Sequence, residues 1–223
     1  MLADRGARVS IVSRSVRESQ HDPRLFRATA DVTVEDQVVA TFNLCRKENG
    51  PIDILVNNSG IAESAPLTRT SLAMWAQILS TNLTGTFLCA REAAADMIAA
   101  KWGRIVNIAS TAGLGGAPYL AAYCASKHGV VGFTRAIAAE FEGTGITANA
   151  VCPGYTETDM MRKAIANISK HTGAGEDDAR AHLARSNPLG RIATVEEVAD
   201  SVLDLIASSR NGDAVIVPGG DVV

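Results

Sequence analysis

Short apolar runs alternate with helical segments along almost the whole chain of 223 residues. The apolar runs predict strands at 9–12, 26–32, 52–56, 103–109, 146–151 and 214–217. The intervening patterns predict helices at 35–49, at 71–100 with an interruption near 82–85, and at 121–142, and another after Thr194. Strands that are apolar on both faces are typical of a parallel sheet covered by helices on both sides. The sequence therefore predicts an α/β fold with a doubly wound parallel sheet.

The composition describes one globular domain with a substantial core. Apolar residues make up 47% of the chain, charged residues 20%, and the formal net charge is −3. This charge is too small to indicate nucleic-acid binding, and no apolar run is long enough for a membrane span or a signal peptide. We therefore expect a single domain over residues 1–223, located in the cytoplasm, with no nucleic-acid or membrane partner.

The cysteines and histidines show no spacing that is typical of metal ligands. Cys45, Cys89, Cys124 and Cys152 are widely separated and lie in apolar or helical contexts. We expect buried free thiols and no metal site.

The chemistry is concentrated between residues 103 and 132. This stretch contains a strand, a serine at its end (Ser110), a Gly-rich loop, and a helix that carries Tyr123 and Lys127. Residues four apart lie on one helix face, so the phenol and the ammonium are neighbours. A nearby cation is expected to lower the pKa of Tyr123, and a phenol tuned in this way exchanges a proton with an alcohol oxygen. The pattern predicts interconversion of a carbonyl and an alcohol.

A polar excursion at residues 155–190 interrupts the alternation directly after a strand. In this architecture such a segment is typical of a substrate lid, and a plain surface insertion is the alternative. Thr194 and Glu197 predict a capping box at the start of the next helix.

Five motifs, in this order, resemble those of the short-chain dehydrogenase/reductase superfamily. They are NNSG at 57–60, STNLTGTF at 80–87, GRIVNIAS at 103–110, YCASK at 123–127 and PGYTET at 153–158. The resemblance covers essentially the whole chain, and several phrases look most like 3-oxoacyl reductases and polyketide ketoreductases.

The resemblance implies a catalytic tetrad of Asn82, Ser110, Tyr123 and Lys127. Tyr123 would protonate the substrate oxygen, Ser110 would hold that oxygen, and Lys127 would lower the pKa of Tyr123 and bind the nicotinamide ribose. Asn82 would hold a water that links Lys127 to solvent. The resemblance implies further cofactor contacts at Ser13, Arg14, Asp31, Val32, Asn57, Gly60, Pro153, Gly154 and Thr158.

The cofactor preference depends on the end of the second family strand. Members that prefer NAD usually have an acidic residue there, whereas this chain has Ser13 and Arg14. A guanidinium pairs with a 2′-phosphate and a carboxylate repels it, so NADP(H) is favoured over NAD(H). An arginine at a strand end is also an ordinary surface residue.

Each tetrad residue also has a structural interpretation. Asn82 is able to satisfy loose backbone groups at a helix break, and Ser110 is able to cap the next segment. In the structural interpretation, Tyr123 is a phenol of the core and Lys127 is a solvated amine. Tyr119 and His128 are interpreted as pocket wall and packing.

Relative to the resembled family, the first strand and its Gly-rich turn are missing, and the connection into the last strand is short. Residues 1–6 are expected to be the last turn of a helix that Gly6 ends. Two explanations are open: this sequence omits segments of a normal enzyme, or the protein is a divergent family member that is unable to hold the cofactor. Retention of the whole tetrad favours the omission of segments. We expect this chain by itself to bind NADPH poorly.

Three functions follow. The first is reduction of a ketone, with a 3-oxoacyl thioester or a polyketide-like carbonyl as the best substrate. The second is an NAD(P)-dependent alcohol, sugar or steroid dehydrogenase. The third is a catalytically silent interaction subunit. The resemblance also implies a homotetramer that packs through the helices at 71–100 and 121–142.

Overall fold

The computed structural model describes residues 1–15, 22, 24–187 and 190–217. The strands are β1 (Val9–Ser13), β2 (Leu25–Thr29), β3 (Ile54–Asn57), β4 (Gly103–Ile108), β5 (Ile146–Pro153) and β6 (Ala214–Val217). The helices are α1 (Glu35–Asn49), α2 (Leu72–Leu79), α3 (Gly85–Ala100), α4 (Ala121–Glu140), α5 (Asp159–Thr172), α6 (Glu176–Arg185) and α7 (Val195–Ala207). All six predicted strands are present, with ends shifted by up to three residues.

The strands are parallel, as predicted. Strands β3, β4, β5 and β6 form one sheet in that order, and β1 and β2 form a separate pair. Among the described residues no strand joins the two sheets. Because parallel strands all end at one edge, the segments after β3, β4 and β5 lie side by side there.

Neighbouring residues of β4 pack into different cores, which shows that helices cover both faces of the sheet. Ile105 packs in a cluster with residues of α1, α3 and α4. Val106 packs in a second cluster with Val202 and Leu205 of α7. The alternation along the strand sends successive side chains to opposite faces.

The predicted helix at 71–100 is broken where its sequence changes. Ser71 caps α2 by accepting a hydrogen bond from the Met74 amide, and a π-helical turn at Ser80–Thr84 separates α2 from α3. Such turns occur mostly as local bulges, often at functional sites. The break therefore places Asn82 at an irregular point of the backbone.

The polar excursion is helical over most of its described residues. Residues 155–190, predicted as a lid, contain the two helices α5 and α6. The capping box of Thr194 and Glu197 is present at the start of α7. At the amino terminus, Ala3–Arg5 form a single 3-10 turn, which Gly6 ends with a φ of 86°.

Candidate functional site

The edge where the strands end brings Ser110, Tyr123 and Lys127 together. Ser110 follows β4, and the other two lie in the first two turns of α4. The Ser110 hydroxyl accepts a hydrogen bond from the Ala112 amide at 3.1 Å, so Ser110 does cap the short turn that follows it. A Cβ on Gly113 would lie 2.7 Å from the carbonyl oxygen of Lys127, so only glycine allows this turn to approach α4 so closely.

Lys127 is a buried cation beside an aromatic ring. Its side chain is 5% exposed, and its Nζ lies 5.8 Å from the centroid of the Tyr123 ring. The Nζ donates a hydrogen bond to the carbonyl oxygen of Ile108, at the end of β4, at 2.7 Å. The solvated-amine interpretation of Lys127 is therefore wrong.

Burial dominates the protonation equilibria of the pair. It raises the pKa of Tyr123, and Cys124 and Tyr155 raise it further, whereas hydrogen bonding by Ser110 lowers it. Burial also lowers the pKa of Lys127 to about 8. The expected lowering of the Tyr123 pKa is thus wrong for the protein in this state, because removal of both groups from water favours their neutral forms.

Asn82 has no exposed surface, and both donors of its amide and one lone pair of its Oδ1 are used within the protein. Its Oδ1 accepts from the Ile61 amide at 2.8 Å, and its Nδ2 donates to the Ile61 carbonyl at 3.0 Å and to Ser126 Oγ at 3.0 Å. Asn82 therefore satisfies backbone groups, as the structural interpretation predicted, but those of the segment after β3 and not those of its own helix break.

Gly60 shows how closely Asn82 approaches Lys127. A Cβ on Gly60 would lie 3.5 Å from Asn82 Oδ1 and 3.6 Å from Lys127 Nζ. The segment after β3 thus passes beside both polar groups, and the four predicted tetrad residues all lie at the carboxyl edge of the sheet.

Ser126 was not predicted, although it links two tetrad residues. It is fully buried, accepts from Asn82 Nδ2, and donates to the Tyr123 carbonyl at 2.8 Å. A serine three residues after Tyr123 on a helix commonly bonds back to a carbonyl one turn earlier. That spacing was the available signal.

Tyr155 and Cys152 were also missed. The charge of Tyr155 contributes to raising the pKa of Tyr123, and burial raises the pKa of Tyr155 itself. Cys152 is fully buried, accepts from the backbone of Ser110, and has its pKa raised by burial to about 11. All four cysteines are buried and free, as expected.

Two residues near the tetrad were interpreted as pocket wall and packing. Tyr119 has a φ of 66° and a 65% exposed side chain, and its carbonyl accepts from the Ala65 amide at 2.9 Å. His128 is exposed, and its Nδ1 contacts the Cys124 carbonyl at 2.9 Å.

The predicted adenosine contacts lie at the ends of β1 and β2. Asp31 Oδ1 accepts from the amide and the hydroxyl of Thr33, and these bonds, with a smaller contribution from the Arg14 charge, lower the Asp31 pKa. The Ser13 hydroxyl donates to the Ser15 carbonyl at 2.8 Å, and Arg14 is exposed. Val32 lies against the backbone of α3, where a Cβ on Gly85 would be 2.7 Å from its Cγ2.

Asn57 links β3 to its neighbours. Its Nδ2 donates to Asn107 Oδ1 at 2.9 Å and to the Thr86 carbonyl at 3.3 Å, and Asn107 in turn donates to Thr134 at 2.9 Å. This buried chain of hydrogen bonds joins the sheet to α4.

The segment after β5 carries the last three predicted contacts. A Cβ on Gly154, which follows Pro153, would collide with Asn187 Oδ1. The Thr158 hydroxyl accepts from the Met161 amide at 3.4 Å and donates to the Thr156 carbonyl at 3.1 Å. In this state Thr158 is the N-cap of α5.

Other types of site find no support among the described residues. No group of three or more His, Cys, Asp or Glu side chains in that part of the chain is placed to hold a metal ion. None of the described helices is both long and apolar enough to cross a bilayer. A cavity of about 560 Å³ lies at the opposite edge of the sheet, beside Arg104 and Gly145, and none of the predicted site residues lines it.

Comparison with known proteins gives a consistent result. The family model described as short chain dehydrogenase matches residues 1–169. The cis-4-hydroxycyclohexanecarboxylate dehydrogenase of Sinomonas cyclohexanicum is 36% identical, over 99% of this chain and 88% of its own length. A putative ketoacyl reductase of Streptomyces coelicolor is 38% identical, over 86% of this chain and 76% of its own length.

A solved structure has the same fold. The crystal structure of an actinorhodin polyketide ketoreductase variant with NADPH superposes with a TM-score of 0.90 at 35% identity, and the match covers 98% of this chain and 89% of that one. Its likeness extends over both sheets and the polar excursion. The chain therefore belongs to the short-chain dehydrogenase/reductase family of NAD(P)-dependent oxidoreductases.

Proposed function

We propose that this enzyme reduces a ketone to a secondary alcohol with NADPH, and that its substrate is a 3-oxoacyl thioester or a polyketide-like carbonyl. The observation that carries the proposal is the convergence of Ser110, the Tyr123 phenol and the buried Lys127 ammonium at the carboxyl edge of the sheet. The ketoacyl reductase and polyketide ketoreductase among its relatives support the substrate class.

Tyr123 acts as the general acid. Because burial raises its pKa, the phenol carries its proton at neutral pH and is ready to donate it to a carbonyl oxygen. The Ser110 hydroxyl accepts from the Ala112 amide and hydrogen-bonds to the Tyr123 phenol, and on substrate binding its hydrogen turns to the same carbonyl oxygen. Ser110 thus holds the oxygen that Tyr123 protonates.

Lys127 stabilises the product of that proton transfer. Its pKa of about 8 leaves most of the ammonium charged at pH 7. A phenolate forms at Tyr123 when the proton leaves, and a cation 5.8 Å from the ring centroid lowers the energy of this anion. The attraction between the ammonium and the phenolate is strong because Lys127 is buried and little water screens the two charges.

Asn82 supports Lys127 from the adjacent helix break. It fixes the Ile61 backbone and Ser126, and so holds the segment after β3 beside the ammonium. We assign to Asn82 the further role of holding a water through which Lys127 exchanges protons with solvent.

The donor set at the site suits a dinucleotide. The described residues show one acceptor, the Ile108 carbonyl, for the three protons of the buried Lys127 ammonium, and vicinal ribose hydroxyls match the other two. A bound nicotinamide cofactor supplies the hydride. The residues that would hold it are Asp31, Val32, Asn57, Gly60, Tyr123, Lys127, Pro153, Gly154 and Thr158.

NADP(H) is the preferred cofactor in this proposal. Arg14 is exposed at the end of β1, next to Ser13, where a guanidinium would meet a 2′-phosphate. The Asp31 carboxylate lies close enough to feel the Arg14 charge, and its two bonds from Thr33 restrain it from competing with the phosphate.

We also propose a homotetramer in the cytoplasm, with residues 155–190 as the substrate lid. Phe87 of α3 is 41% exposed and meets Phe133 of α4 edge-on at 6.2 Å, so the two long helices share an aromatic surface. The four buried free thiols suit a reducing compartment.

A panel of ketones tests the function directly. We expect loss of NADPH absorbance with 3-oxoacyl thioesters or polyketide-like ketones, and much slower turnover with NADH. Absence of turnover with every ketone, at a concentration where NADPH binds, would favour the silent-subunit alternative.

Oxidation of an alcohol is the second candidate function. The dehydrogenase from Sinomonas cyclohexanicum, named for a ring alcohol, aligns with almost the whole chain. A higher kcat/KM for cyclic alcohols with NAD⁺ than for any ketone with NADPH would favour this alternative.

A further inference from the structure

Residues 155–187 and 190–192, called the 155–192 unit below, form a small helical unit with a core of its own. This core is separate from the three clusters that pack around the main sheet, and its buried members are Met161, Ile165, Ala179 and Leu183. The unit leaves the sheet after β5 and returns before α7. The two connecting segments, residues 154–157 on one side and 187 with 191–193 on the other, meet in what we call the neck. Away from the neck, Asn167 Nδ2 of the unit also donates to Ser64 Oγ at 3.1 Å.

The side chain of Asn187 joins the two segments of the neck. Its Oδ1 accepts from the Tyr155 amide at 2.6 Å. Its Nδ2 donates to the Tyr155 carbonyl at 2.8 Å and to the Arg191 carbonyl at 2.7 Å. The side chain is 5% exposed, so both donors and the acceptor are used inside the protein.

The backbone at the neck is built around this amide. Glycine at position 154 leaves space for Asn187 Oδ1, which a Cβ would occupy. The Ala193 amide also donates to the Tyr155 carbonyl, and the Glu157 amide donates to the Ala193 carbonyl, each at 3.0 Å. Backbone hydrogen bonds therefore hold the two segments side by side at the point where the Asn187 amide joins them.

The residue that Asn187 holds lies at the same edge of the sheet as the reaction centre. Asn187 bonds to both backbone groups of Tyr155. Tyr155 comes two residues after the end of β5, at the carboxyl edge where Tyr123 also lies, and its charge contributes to the raised pKa of Tyr123. A shift of the neck moves Tyr155 and the helical unit together relative to the phenol that donates the proton.

We propose that Asn187 is a positioning residue that sets where Tyr155 and the 155–192 unit stand relative to Tyr123, and thereby sets the affinity for the carbonyl substrate. The effect on substrate affinity rests on the proposed function, whereas the effect on the position of Tyr155 and the unit does not. Asn187 acts through Tyr155 and does not itself touch the reacting atoms.

The test compares Asn187→Asp with a matched control, Asn149→Asp. A carboxylate keeps the acceptor of Asn187 and removes both donors next to two carbonyls. Asn149 is 1% exposed and also bridges backbone groups, since it donates to the Arg210 carbonyl at 2.8 Å and accepts from the Asp213 amide at 3.0 Å. Its bonds lie away from the neck, so the control carries the same chemical change without the proposed effect.

We expect both variants to melt at lower temperature, and only Asn187→Asp to raise the KM for the ketone, by about tenfold, with a smaller change in kcat. The KM of this variant should fall as the pH is lowered, because a protonated carboxyl regains one donor. An equal rise in KM for the control, or a KM of Asn187→Asp within twofold of the parent at every pH, overturns the proposal.

Limited trypsin digestion tests the same inference without catalysis. Lys163 and Lys170 are exposed on α5 and offer cleavage sites inside the unit. Well below both melting temperatures, we expect Asn187→Asp to be cut there several times faster than the control. Equal rates overturn the positioning role even if no ketone is turned over, and faster cutting supports it even if the proposed reductase function fails.

Discussion

Lys127 Nζ lies 5.8 Å from the centroid of the Tyr123 ring and donates to the Ile108 carbonyl at 2.7 Å. Burial lowers the pKa of the ammonium and raises that of the phenol, so each group is pushed toward its neutral form. In the proposed function, donation of the Tyr123 proton creates an anion that this cation stabilises. The predictions below test that role of the pair.

The first prediction concerns the stability cost of this cation. The Lys127 pKa is about 8 in the folded protein against an ordinary value of 10.5. The unfolded state thus binds more protons between these values, and the folded state gains stability as the pH rises through them. At pH 7 the full cost of about 3 kcal/mol applies, and a methionine at this position removes it but leaves the Ile108 carbonyl without its donor, at a loss of about 1 kcal/mol.

We therefore expect Lys127→Met to raise the free energy of unfolding by about 2 kcal/mol at pH 7 while it abolishes reductase activity. The gain should disappear near pH 10.5, where the amine of the folded parent is already neutral. Urea denaturation at both pH values measures this, and Lys163→Met, on the exposed surface of α5, is the control. A variant less stable than the parent at pH 7 contradicts the cost of burial.

The second prediction concerns cofactor choice. If Arg14 pairs with the 2′-phosphate, Arg14→Ala in the full-length protein should weaken NADPH binding by roughly 1.5 to 3 kcal/mol and leave NADH nearly unchanged. Dissociation constants from cofactor fluorescence measure the difference. Arg5→Ala, at another exposed arginine near β1, should change neither constant. Equal losses for both cofactors would mean that Arg14 only supports the fold.

The third prediction concerns assembly. Phe87 is 41% exposed on α3, and Leu44 is 48% exposed on α1, which lies outside the proposed interface. Phe87→Glu should convert the tetramer into smaller species, because it places a charge in an aromatic contact, and Leu44→Glu should leave it intact. Light scattering at micromolar concentration distinguishes the species. A parent enzyme that is monomeric, or a Phe87→Glu tetramer, contradicts the interface.

The sequence predicted well those features that depend on neighbours along the chain. Tyr123 and Lys127 face each other because they are four apart on one helix, and Thr194 and Glu197 form their capping box three apart. The break near Asn82 was also visible as a change of pattern. Each of these relationships is fixed by local backbone geometry.

Relationships between distant segments were not accessible in this way. Asn82 bonds to Ile61, 21 residues earlier, and Asn187 bonds to Tyr155, 32 residues earlier. The direction of the Tyr123 pKa shift was predicted wrongly, because adjacency on a helix is local whereas burial depends on every segment that packs around the phenol. The amide orientations and the desolvation both arise only when the tertiary structure forms.

The most direct test of the account is the turnover of Tyr123→Phe. Phenylalanine keeps the ring and its packing and removes the phenolic proton, so ketone reduction should fall by roughly 10² to 10⁴ while the dissociation constant of NADPH stays within a few fold. Oxidation of the alcohol needs the tyrosinate, so its rate in the parent should rise with pH. This rise should disappear in Tyr123→Phe. Tyr119→Phe, which removes the same group from a 65% exposed side chain, should retain the parent rate. A Tyr123→Phe enzyme that keeps most of the parent turnover would contradict the assignment of the proton donor.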